Sequence, residues 1–74
     1  MLNSYRDKLI ERFGKESDIG SVVGCALDRL GRPCSAGEID RAIDYFNANA
    51  ARLSALPIGA RRELVERFIK GEAV

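Results

Sequence analysis

The stretch Ser17-Asp18-Ile19-Gly20-Ser21-Val22-Val23-Gly24-Cys25-Ala26-Leu27-Asp28-Arg29-Leu30-Gly31 decides how this 74-residue chain folds. Ile19, Val22, Val23, Ala26, Leu27 and Leu30 fall at offsets 0, 3, 4, 7, 8 and 11, the spacing of a helix with one buried face. Ser17 or Asp18 supplies the N-cap, and Gly31 with Pro33 stops the helix. Inside it stand Gly20 and Gly24, one turn apart, each about 1 kcal/mol less favourable in a helix than alanine. With Ile19 at zero on a helical wheel they lie at about 100° and 140°, beside Leu27 at about 80°. Two positions without side chains on that edge form a groove that admits another helix backbone, from this chain or from a second copy. Small residues at this spacing do the same in membranes.

The flanking segments also read as helices. Leu2, Tyr5, Leu9 and Phe13, widened by Ile10, recur at three- and four-residue spacing, and Ser4 with Asp7 resembles a capping box. Gly14 follows as the stop. Ser35-Ala36-Gly37-Glu38 is a capping box, framed by Cys34 and Ile39 as a hydrophobic staple. The helix it starts carries Ile39, Ala42, Ile43, Phe46, Ala50 and Leu53 on one face. Asn47 and Asn49 are weak helix formers, where a bend is tolerated. Pro57 opens a last helix with Ile58, Leu64, Val65, Phe68 and Ile69 as its apolar face, Glu63 and Arg67 as an i,i+4 pair, and Gly71 at its end. Short connections make consecutive helices neighbours. The expected fold is all-α, a compact bundle of four short helices at about 4–13, 18–30, 36–55 and 58–70, within one domain spanning 1–74.

Composition narrows the function. Lys and Arg number 12 and Asp and Glu 11, a net charge of +1. A module that held nucleic acid mainly by neutralising phosphates would carry a larger basic excess. No apolar run reaches the roughly 20 residues that cross a bilayer, and MLNSYRDKLIERF is charged where a signal peptide is apolar. A cytoplasmic chain without membrane contact is expected. Cys25 and Cys34 are the only cysteines and there is no histidine, short of a four-ligand zinc set and of a thiol paired with an imidazole base. Neither metal nor cofactor nor catalysis is expected.

The remaining candidates are contact residues. Gly20 and Gly24 offer the groove. Tyr45 and Cys25 lie off their helices' apolar stripes, each at about 240° on its wheel. Arg61 and Arg62 stand in the first turn of the last helix, where the macrodipole disfavours positive charge, although Glu66 lies four residues beyond Arg62. Asp40 and Asp44 form a like-charged i,i+4 pair. A chain this short buries about 60–65 % of its unfolded surface, so a homodimer is expected. Together these features point to a non-enzymatic module that binds a partner protein, as a regulator, inhibitor or accessory subunit. The alternative comes from Cys25–Phe46, CALDRLGRPCSAGEIDRAIDYF, which resembles the helix-turn-helix segments of DNA-binding regulators. That resemblance implies a recognition helix starting at Ser35, whereas Glu38, Asp40 and Asp44 would meet phosphates with like charge and Arg41 is the only early basic residue.

Overall fold

The computed structural model describes residues 4–74; Leu2, placed on the first apolar stripe, lies outside them. Among the described residues every regular element is helical: α1 (Tyr5–Phe13), a π-helix (Ile19–Gly24) continued by α2 (Cys25–Arg29), α3 (Ala36–Ala48), α4 (Ala50–Ser54) and α5 (Ile58–Ile69). None is long and apolar enough to cross a membrane.

The π-helix is the central strut. All of its residues except Ser21 are buried, so it is enclosed on more sides than its apolar stripe alone requires. The additional side is the glycine edge. A Cβ built on Gly20 would stand 2.4 Å from Ile10 Cγ1, and one built on Gly24 would stand 2.4 Å from Arg6 Cα and 2.8 Å from Arg6 N. The groove is filled by α1, which crosses it antiparallel with its backbone against Gly24. A second copy has no access to it: of the two occupants the sequence leaves open, a helix of this chain takes the groove, so Gly20 and Gly24 are corrected from interface candidates to internal packing positions. On the other side α5 runs in the same sense as the strut: Arg61 meets Asp18, Arg62 meets Ser21, and Arg29 meets Glu66. Helix α3 packs against both the strut and α5. Leu27, Leu53, Val22, Val23 and Val65 are the largest fully buried side chains.

Helix ends are satisfied by contacts of very different sequence range. At α1, Ser4 Oγ accepts the Asp7 N–H at 3.1 Å. The Asp28 carboxylate, reaching over from α2, accepts those of Tyr5 and Arg6 at 2.8 and 3.2 Å. The Tyr5 hydroxyl in turn accepts the Cys34 N–H at 2.6 Å and so ties the α2–α3 loop to α1. At α3 the capping box forms: Ser35 Oγ accepts from Glu38 N–H and Glu38 Oε1 accepts from Ser35 N–H, both at 3.1 Å. The helix expected over 36–55 divides at Asn49, whose φ of −116° and ψ of 20° leave the helical region. Its side-chain Nδ2 donates to the Tyr45 carbonyl at 2.9 Å, a local bond that competes with helix continuation. Leu53, fully buried, anchors the short α4 beyond the break.

Two tests follow from this frame. Gly24→Ala is expected to destabilise the chain by about 1–3 kcal/mol despite its better helix propensity, because backbone must give way. Gly59→Ala, where a Cβ meets open space, is expected to be neutral or stabilising by up to about 1 kcal/mol; denaturant titration followed by circular dichroism separates the two. The hydrogen bond from Arg32, then the Ser35 N–H, hold the Glu38 carboxyl down to about 2, below its ordinary 4.5. A folded-state value below the unfolded one gives stability that is complete above pH 4.5 and is lost as pH falls towards 2. Thermal melts from neutral pH downwards are therefore expected to show Glu38→Gln less stable than wild type at neutral pH and less acid-sensitive through that window.

Candidate protein-interaction face

The contact residues expected from sequence separate into several roles. Tyr45 is 8 % exposed and belongs to the core. Its ring stacks on Phe68 of α5, with centroids 4.3 Å apart and planes at 16°. Its hydroxyl donates to the Val74 carbonyl at 3.1 Å and accepts from Arg52 Nη2 at 3.1 Å. The off-stripe position thus reflects a second packed side of α3, and Tyr45 is corrected from a surface anchor to a buried one.

Arg61 and Arg62 are likewise drawn inward. Arg61 Nε donates to the Leu56 carbonyl at 2.8 Å and Nη2 to that of Ser54 at 3.0 Å, closing the C-terminal end of α4, while Nη1 lies 3.6 Å from Asp18. Arg62 Nε donates to the Ser21 carbonyl of the π-helix at 2.8 Å. Charge that is unfavourable for the dipole of its own helix is placed at carbonyls of two others. Glu66 pairs with Arg29 at 3.5 Å and Lys70 at 3.3 Å, and Arg67 with Glu72 at 2.9 Å, so neither i,i+4 pair read on this helix forms.

Asp40 and Asp44 remain exposed on α3, and Asp40 lies 3.9 Å from Arg12. Cys25 is half-buried. Cys34 is half-buried too, and burial raises its thiol above the ordinary range. Among the described residues no group of three or more Cys, Asp and Glu converges as a metal would require. A shallow depression of about 370 Å³ beside the start of α1, between Tyr5, Lys8, Asp28, Arg32 and Pro33, has its charged groups already engaged. Asp28 caps α1, Arg32 holds Glu38 at 2.7 Å, and Lys8 lies over the Tyr5 ring at 5.4 Å.

A different face gathers exposed charge around a buried and a half-buried aromatic ring. Around the Tyr45–Phe68 stack stand three exposed arginines from three helices. Arg41 of α3 lies over the Phe68 ring, 5.3 Å from its centroid. Arg52 of α4 touches the Tyr45 hydroxyl, the Asn49 side chain and, at 2.7 Å, the Val74 carbonyl. Arg67 of α5 holds Glu72, which raises the guanidinium above its ordinary value. Guanidinium groups beside aromatic rings suit planar, bidentate recognition of carboxylates. Sequence inspection missed Arg41, Arg52, Arg67 and Phe68 as a group because they converge only once α3, the Asn49 break and α5 are packed. The one available signal was the off-stripe Tyr45.

Comparison with protein-family models, curated proteins and solved structures finds no match to this chain.

Tyr45→Phe is expected to lower stability by about 0.5–1.5 kcal/mol, since it removes one hydroxyl from a satisfied network and keeps the stack. Tyr45→Ala, which also empties the stack, is expected to cost about 3–5 kcal/mol. Equilibrium unfolding in urea measures both, and equal losses would discount the ring.

Proposed function

We propose that this chain is a non-enzymatic, cytoplasmic helical module that acts by binding a partner protein, as a small regulator, inhibitor or accessory subunit. One observation carries this: the Tyr45–Phe68 stack with Arg41, Arg52 and Arg67 around it. Arginine and aromatic side chains dominate the residues that contribute most at protein interfaces. Elsewhere, apart from the exposed Asp40 and Asp44, the polar groups that drew attention in the sequence are engaged in holding the fold. Arg61 and Arg62 bond helix carbonyls, and Glu38 caps its own helix.

Dimerisation belongs to the same proposal and uses a different surface. Phe13 and Ile58 are the exposed large hydrophobics among the described residues. They lie at the end of the bundle where α1 finishes and α5 begins, the end that also holds the Asp18–Arg61 pair. Helix α3 supports a protein partner over DNA, because Asp40 and Asp44 project from the helix that would have to enter the groove.

Affinity capture from the native host, with sedimentation of the purified chain, tests the proposal. Wild-type bait is expected to retain a partner that Arg41→Glu bait loses, and the free chain is expected to sediment as a dimer. It is also expected to leave a heparin column below about 0.2 M salt, where a ligand of several phosphates would hold on. Strong heparin retention, or identical captures by both baits, would reject the protein-partner reading.

A further inference from the structure

The arginine–aromatic face has an occupant already. After α5 the chain turns at Gly71, whose φ is +95°, and the Glu72 N–H returns to the Arg67 carbonyl at 3.0 Å while the Gly71 N–H returns to that of Phe68 at 3.0 Å. This is the double bond pattern of a Schellman turn, and it reverses the chain towards α3 and α4. Glu72 then meets Arg67, and the Val74 carbonyl meets Arg52 and Tyr45. Gly71, Glu72 and Ala73 are exposed, whereas Val74 is half-buried against the core.

We propose that Gly71–Val74 is a strap sitting in the seat of a partner's acidic, apolar peptide, and that its release opens the face to that partner. The proposal rests on the protein-binding function given above and adds its ligand chemistry and its regulation. The strap offers the Glu72 carboxylate, a main-chain oxygen of Val74 and that residue's small aliphatic side chain, and the face answers each. Arg67 takes the carboxylate and Arg52 with Tyr45 takes the carbonyl, while the aliphatic group packs beside the core. A partner segment with Glu or Asp two residues before an aliphatic residue presents the same three groups in the same order.

The ionic part of the hold on the strap is slight. Its ion pair is about half exposed at both partners, and such pairs add little to stability. Gly71 is a single-residue hinge. When the strap leaves, Arg67 loses its carboxylate and Arg52 its carbonyl, next to Arg41 on the Phe68 ring. Directed carboxylates suit this face better than a run of phosphates. Asp44, exposed and adjacent to Tyr45, and Glu63, close enough to Arg67 to raise it further, would repel a polyanion that tracks across the surface.

Fluorescence anisotropy with full-length protein tests this, using as probe a dye-labelled, amidated peptide with the sequence of residues 70–74. A strap that competes for the seat lowers apparent affinity by the fraction of time it is bound. Glu72→Lys, which unlatches the strap and leaves the face intact, is expected to bind the peptide about two- to fivefold more tightly than wild type. Val74→Gly is expected to act in the same direction. Adding Arg52→Ala or Arg67→Ala to Glu72→Lys is expected to abolish the gain, and a probe with Gln in place of its Glu should bind more weakly. Equal binding by wild type and Glu72→Lys, still sensitive to Arg52→Ala, would overturn the strap and leave the protein-binding face standing. Absence of binding in every form would overturn the acidic-peptide seat; with host captures also insensitive to Arg41→Glu, the protein-binding face falls as well. A thymidine decanucleotide that binds more tightly than the peptide, and depends on Arg52 and Arg67, would reassign the face to nucleic acid.

Discussion

The fold depends on the backbone of α1 lying against Gly24 and, one turn away, on Ile10 lying against Gly20. Any side chain at Gly24 would occupy space already held by the main chain of Arg6. Two glycines weaken the central helix locally, and that loss is offset by a contact no larger residue permits. The strut is then enclosed by α1 on one side and by α3 and α5 on the others, which explains why a six-residue π-helix of glycine, valine, isoleucine and one serine is buried at every position but the serine. The departure from α-helical winding coincides with the glycine pair.

What could be read in the sequence was what is decided within a turn or two of chain. The all-α class and the Ser35–Glu38 capping box follow from neighbours three and four residues apart and are found in the structure, as are the apolar stripes among the described residues except at Phe13, Ala50 and Ile58, which are exposed. The Asn49 break was marked by its residue type, because an amide side chain can bond the carbonyl four residues back. The occupant of the glycine groove was not legible. A wheel shows that one edge of a helix is bare, and nothing local says which helix lies there. Tyr45 illustrates the same limit: its hydroxyl partner, Val74, is 29 residues away and reaches it only after α5 and a reversal at Gly71.

Several charged side chains in this chain act on main-chain groups. Asp28 accepts two N–H donors of α1, Arg61 donates to two carbonyls around the end of α4, Arg62 to a carbonyl of the π-helix, and Arg52 to that of Val74. Such charge-assisted bonds satisfy helix ends that a small bundle cannot cover with further secondary structure. No buried side-chain nitrogen or oxygen among the described residues lacks a partner.

The cap that Asp28 places on α1 couples two parts of the chain that would otherwise order separately. A nine-residue helix is too short to persist alone in water, since nucleation outweighs the few bonds it can form. Two of its first N–H groups find acceptors only when α2 has folded, more than twenty residues later. The N-terminal segment is consequently a coil during the earliest collapse and acquires helical order together with its docking site, so folding and melting of these two regions share one cooperative transition.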